Sequence, residues 1–346
     1  MKRILHWLLL TVILLGILTP TAAAQSEADQ ASTGFKARNG AWLDSIIFSV
    51  VDSNTALSQI RAGQLDIFMD GLSSSQIAPP VDDPDVTYSL SNGMYYELTF
   101  NPVGPTFPAT GKLNPFSSVA IREAMNWLID RQYLSETILH GTATPKFLPI
   151  NDGYADNIRY ADIVNALESE YAYDDTRAED AISAEMVALG ATKVGELWYF
   201  NNEPVVVIFL IRIDGNGERR PMGDYVANQL EDIGFTVDRR YVTSSQASPI
   251  WIGSNPADGL WHIYTGAWSS SALYRDQGSD FQFFYSPSSA FGFSALWQAY
   301  APSPEFESVM QQLAYREFSS LAERDQLFTQ ALQMSLNDDN GGSLHL

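Results

Sequence analysis

The sequence predicts an α/β protein with mixed sheets, and three observations carry that expectation. Two stretches read as strand, helix and strand: residues 45–51, 54–62 and 65–69, and then residues 205–211, 221–233 and 236–241. Between them, residues 114–150 carry a pair of amphipathic helices. A chain of 346 residues with 45% hydrophobic content is long enough to fill two lobes, since domains commonly run ~100–150 residues.

The helix pair organises the chain. Ser117 or Ser118 can cap a helix whose apolar positions Ile121, Ala124, Met125, Leu128 and Ile129 recur every three or four residues, as one buried stripe requires. Asp130-Arg131 opens a second segment to Leu139, where His140 and Gly141 form a stop signal ahead of Pro145. Asp130 and Arg131 are expected to fix the corner through capping and an ion pair.

At the start, Lys2-Arg3, the apolar run from Ile4 to Leu18 and Ala22-Ala23-Ala24 read as a secretory signal peptide over residues 1–24, cleaved after Ala24. Residues 25–40 read as a flexible leader. The chain has no cysteine, so neither a disulfide nor a lipid-bearing cysteine is expected, and the protein is not a lipoprotein. A net charge of −21 without a basic patch argues against nucleic acid as a partner.

Further along, Pro79-Pro80 and the acidic run ending at Asp85 place a loop, and residues 87–91 and 95–101 read as extended chain. Residues 160–171 and 174–189 read as helices, with Gly190 as a stop. Residues 198–200 and 205–211 flank Asn201-Asn202, which suits a hairpin turn. Residues 263–268 form a buried strand, residues 269–294 a long Gly/Ser/Phe-rich loop, and residues 304–319 and 321–336 the closing helices.

The residue order resembles family 5 extracellular solute-binding proteins of ABC importers, the peptide- and nickel-type binders. Pro115-Phe116, Arg122-Glu123-Ala124 and Ile129-Asp130-Arg131 stand in that family's order. Upstream, IIFSVVDSNTALSQIRAGQLDIF and YYELTFNPVGPTF are similar to its strand–helix unit and its crossing strand. Downstream, YDDTRAEDAISAEMVALGA and WHIYTGAW are similar to a helix and to the strand ending Gly-x-Trp.

The resemblance implies a two-lobe, periplasmic-binding-protein-like (class II) architecture. Residues 41–93 with 269–346 would form lobe I, and residues 94–268 lobe II with the crossing strands. Members usually carry a longer N-terminal part and further strands after the last helix, so lobe I is expected to be incomplete. Either a short member or a truncated product would read this way.

Catalytic constellations are thin. The histidines are isolated from one another, and no Gly-x-Ser-x-Gly elbow or phosphate loop is present, so no metal, cofactor or catalytic residue is expected. Asp214-Gly-Asn-Gly-Glu218 and Asn337-Asp-Asp-Asn-Gly341 faintly resemble calcium loops but read as turns. Trp268 heads the ligand-contact candidates, because it ends a crossing strand with Gly266 two residues before it. Hinge packing is the competing role.

Peptide-binding relatives often carry an aspartate after the matching tryptophan. Here Ser269, Ser270 and Ser271 follow, leaving Arg275, Asp276 or Asp280 to reach the cleft. Tyr95, Tyr96 and Asn101 flank the other crossing, and Trp251 and Trp261 are candidates for the rim. The resemblance implies a monomeric, extracytoplasmic, non-catalytic receptor that carries a small peptide or oligosaccharide to a membrane permease. The competing readings are a secreted carbohydrate-active hydrolase, which needs two carboxylates about 5 to 10 Å apart across a cleft, and a truncated, non-binding fragment.

Overall fold

A computed structural model describes residues 42–77, 86–89, 93–269 and 276–346. The signal peptide, the leader and Arg275 lie outside the described residues. The chain divides into two units, Met1–Val51 and Asp52–Leu346. In the first, the described residues 42–51 form no strand, and Ile47, Phe48 and Val50 are exposed. In the second, helix α1 (Ser53–Arg61) forms as expected, with Asp52 accepting from the Asn54 amide at 2.8 Å. Residues 65–69 do not form a strand either, and Ile67 and Met69 are exposed. The first strand–helix–strand expectation is therefore corrected to a lone helix. Both flanks have strand-like composition, but a strand exists only in a hydrogen-bonded ladder, and neither stretch joins one.

The main sheet holds β1 (Met94–Phe100), β5 (Val206–Arg212), β6 (Thr236–Val242) and β7 (Ile263–Ser269) in the order β1-β7-β5-β6. β5 runs parallel to both β6 and β7, whereas β1 runs antiparallel to β7. A smaller sheet contains β2 (Thr192–Val194), β3 (Leu197–Phe200) and β4 (Glu203–Pro204). The expected hairpin turn forms with Asn201 and Asn202 at φ 52° and 66°, but its return strand is the short β4. β5 leaves it for the main sheet.

The helices of the second unit follow in chain order. Short α2 (Ser74–Ile77) precedes β1. The organising helix α3 (Val119–Leu128) is capped by Ser118, and Ile121, Ala124, Met125, Leu128 and Ile129 are all buried, each large side chain contributing about 1.5–3 kcal/mol. Asp130 caps α4 (Arg131–Tyr133), accepting from the Tyr133 amide at 2.9 Å, and the helix continues as a π turn, Leu134–Ile138. Arg131 makes no ion pair among the described residues. It donates to the carbonyls of Asn126 at 3.0 Å and Lys146 at 2.8 Å, and its guanidinium lies 4.2 Å over the Phe147 ring. These bonds fix the segment that follows the helix corner.

Helices α5 (Ala155–Arg159), α6 (Ala161–Glu170) and α7 (Asp175–Ala188) come next, and α8 (Arg219–Asp232) with α9 (Ser244–Trp251) brackets β6. The expected loop after β7 contains a further helix, α10 (Gly278–Tyr285), whose buried Phe281, Phe284 and Tyr285 have helical spacing. Helices α11 (Ala295–Ala299), α12 (Pro304–Tyr315) and α13 (Leu321–Asn337) complete the set. Beyond α13 the chain runs back along β1. Leu98 and Leu346 exchange backbone hydrogen bonds at 2.9 and 3.0 Å, and the Phe100 amide donates to Leu344 at 3.1 Å. Buried Arg122 secures this return by donating to the carbonyls of Phe116, Ser117, Asn340 and Gly342.

Candidate functional site

Strand register brings three of the sequence candidates together. Tyr95 stands directly opposite Trp268, and Tyr96 opposite Ala267. Because β1 is antiparallel to β7, its first residues lie at the carboxyl ends of β7 and β5, the edge where open α/β sheets commonly bind ligands. The Trp268 ring is half-buried and meets Phe283, Phe284, Phe291 and Trp297 edge-on, with centroids 5.1 to 6.3 Å away. Its Nε1 donates to Glu97 at 3.0 Å.

Glu97 is buried and serves as the hub of this region. It also accepts from the Thr99 hydroxyl at 2.6 Å and pairs with His345 Nδ1 at 2.9 Å. Opposite it stands Gly266, where an added Cβ would lie 1.9 Å from Glu97 Oε1. The glycine therefore makes room for a carboxylate between the strands.

A cavity of about 30 Å³ opens beside Tyr95, Tyr96, Glu97, Lys146, Phe284 and His345, enough for about one water. Lys146 lies 4.6 Å over the Tyr95 ring and donates to the Ile150 carbonyl. Burial lowers its ammonium to about 8, while burial raises the nearby Asp280 carboxyl to about 7. The Tyr96 hydroxyl donates to Glu218 at 2.5 Å and accepts from Asn216 at 2.6 Å, which joins β1 to the loop between β5 and α8.

The other candidates lie elsewhere. Asn101 is fully buried, and its side chain is taken up by the backbone of Val103, Pro256 and Trp261. Asp276 pairs with Arg324 at 2.9 Å and Arg316 at 3.4 Å, and accepts from the Gly278 amide at 3.0 Å. Arg324 also holds Asp156, so Asp276 belongs to a network joining α5, α10 and α13. Trp261 is fully buried, and Trp251 stacks on Tyr264 at 4.7 Å. Asp214 pairs with Arg212 and Asp338 accepts from the Gly341 amide at 2.8 Å, so both acidic loops make local turn contacts. Among the described residues no cluster of His, Cys, Asp or Glu is arranged to hold a metal ion.

Sequence reasoning missed Glu97, Lys146, Glu218 and His345. Only Glu97 carries a signal, as the one acid inside the apolar run YYELTF.

The site is thus an aromatic and charged rim at the carboxyl edge of a mixed sheet. The family description "Bacterial extracellular solute-binding proteins, family 5 Middle" matches residues 31–292, and the chain belongs to that family. Solved structures share the fold. The Brucella suis protein NikA, bound to Fe(III)-EDTA, superposes with TM-score 0.61 at 18% identity, covering 85% of this chain and 53% of its own. The oligopeptide-binding protein AppA of Bacillus subtilis, with a nonapeptide, gives 0.59 at 17%, covering 82% and 51%. An oligopeptide-binding protein of Thermotoga maritima, with mannohexaose, gives 0.59 at 15%, covering 85% and 53%. The chain spans about half the length of these structures. Curated proteins offer no match to it. Among the described residues no helix is long and apolar enough to cross a membrane.

Proposed function

We propose that the protein is a non-catalytic, extracytoplasmic solute receptor of an ABC import system, binding peptides or similar oligomeric solutes and delivering them to a membrane permease. The observation that carries this reading is the facing pair Tyr95 and Trp268, set with Tyr96 and Lys146 at the carboxyl edge of the sheet. Aromatic faces next to a few placed polar groups suit an oligomeric solute, because rings give contact area while polar groups set orientation. The nonapeptide and the mannohexaose held by the similar structures support the same class of ligand.

In this reading Tyr95 and Tyr96 contact ligand and Trp268 frames the contact. Residues 41–93 with 269–346 close against residues 94–268, and a ligand touching both sides favours the closed state by its extra contacts. Export follows cleavage after Ala24. A hydrolase would need two free carboxylates across open space, whereas Glu97 and Glu218 are each engaged by several donors.

Thermal unfolding of the purified chain against a library of peptides and oligosaccharides tests the proposal. A ligand that binds only the native state raises its melting temperature. Stabilisation by a library member supports the receptor, and a flat response across both classes sinks it.

A further inference from the structure

Among the described residues, Lys112 and Lys193 are exposed, whereas Lys146 is half-buried and lines the cavity beside Tyr95 and Tyr96. Its position is set from both ends. Arg131 Nε donates to its backbone carbonyl at 2.8 Å, while its amine donates to the Ile150 carbonyl and lies 4.6 Å over the Tyr95 ring.

No carboxylate takes this amine up. Asp152, Asp280 and Glu168 act on it through space, but none forms an ion pair with it among the described residues. Lys193, by contrast, pairs with Glu179 at 3.4 Å. Burial holds the Lys146 ammonium down to about 8, because desolvation disfavours a charge that no partner neutralises. About one amine in ten is then unprotonated at pH 7, against fewer than about one in a thousand for an ordinary lysine.

An uncharged amine is a nucleophile, and its surroundings select the electrophile. The cavity of about 30 Å³ has room for a small carbonyl group beside the amine but not for a sugar ring. Glu97 and Asp280 both act on Tyr95, and with Glu168 they disfavour an anionic reactant. A carbonyl carbon with a short, uncharged substituent meets both conditions. Its condensation product, a protonated imine, is again a cation and takes the place of the ammonium over the Tyr95 face.

We infer that Lys146 is a site of reversible covalent capture, at which its amine condenses with a small, uncharged aldehyde to form an imine. The Nζ lone pair adds to the carbonyl carbon, and the carbonyl oxygen takes a proton to give a carbinolamine. That oxygen then leaves as water while the carbon–nitrogen double bond forms. One amine, one aldehyde and one proton from solvent thus give one protonated imine and one water, with no oxidant or reductant consumed. Hydrolysis returns the aldehyde and the lysine unchanged.

Acetaldehyde with sodium cyanoborohydride reads the site, because the added reductant converts the imine into a stable N-ethyl group that peptide mass mapping locates. In the folded full chain at pH 7, Lys146 should be ethylated about tenfold or more faster than Lys112 and Lys193, since its advantage in free amine outweighs its partial burial. In guanidinium chloride that unfolds the chain, the three rates should come within about twofold of one another. Lys146→Arg keeps a cation over Tyr95 and should remove the fast phase of ethylation. Equal or slower labelling of Lys146 in the folded chain overturns the inference. So does a preference that survives unfolding, or a fast phase that persists in Lys146→Arg.

The inference stands apart from the receptor reading. Binding of a peptide or oligosaccharide without selective ethylation of Lys146 removes the covalent site and keeps the receptor. Selective ethylation of Lys146 in a chain that binds neither keeps the covalent site and removes the receptor.

Discussion

The indole of Trp268 donates to the buried carboxylate of Glu97 at 3.0 Å, from the strand that lies opposite. This bond, together with the four rings around the indole, ties the β1–β7 pair to α10 and α11. Trp268→Ala should therefore cost about 3–5 kcal/mol of stability. Trp268→Phe keeps most of the ring packing, loses the hydrogen bond and should cost about 1–2 kcal/mol. Denaturant unfolding of both variants checks the order. A loss under ~1 kcal/mol for Trp268→Ala would show that the ring does not support the strand pair.

Gly266 faces Glu97, and its missing side chain is what admits the carboxylate. Gly266→Ala places a Cβ 1.9 Å from Glu97 Oε1, so the carboxylate must move away from Trp268 or His345. A loss of about 1–3 kcal/mol is expected. Combining it with Glu97→Gln should give less than the sum of the two single losses, since both act on one network.

The last residues complete the edge of β1 through Leu98, Phe100 and the His345–Glu97 pair. Deleting residues 344–346 should expose the amides of Leu98 and Phe100, which donate to Leu346 and Leu344. Hydrogen exchange measures this. Protection of those two amides should fall while that of Phe209 and Leu210, in the centre of the sheet, changes much less. Unchanged protection at Leu98 would contradict the pairing.

Asp280 gives a pH dependence with a defined sign. Burial raises its folded-state value to about 7, above the unfolded value of about 3.9. Its contribution is fully present below pH ~4 and is lost as pH rises through 7. The difference in stability between Asp280→Asn and the unaltered protein should therefore shift in favour of the variant over that window. At pH 8 the variant should gain about 1–3 kcal/mol, reduced from the full shift because the carboxyl retains some exposure. Thermal unfolding at pH 4, 6 and 8 decides it, and a difference independent of pH would refute the assignment.

Much of the fold was legible because local pattern and tertiary demand agree. The stripe on α3, the Ser118 and Asp130 caps, and the parallel pair β5 and β6 around α8 all follow from periodicity and end signals. The flanks of α1 were not legible, because their apolar alternation satisfies a strand pattern while the ladder that makes a strand depends on neighbours. Helix α10 was hidden by its glycine and serine start, although Phe281, Phe284 and Tyr285 carried the helical spacing.

At the site, Tyr95, Tyr96 and Trp268 could be found from the crossing strands, but their company could not. Glu97 becomes meaningful only once register sets it against Gly266, and Lys146 once Arg131 pins its carbonyl.

The central claim is reversible binding of an oligomeric solute without chemistry. It is tested most directly by equilibrium dialysis of the purified chain with the best-stabilising library member, followed by mass spectrometry of the solute. The account predicts saturable binding to one site per chain, weakened by Tyr95→Ala, with the solute recovered at its original mass. A cleaved solute, or no saturable binding to a folded chain, would contradict it.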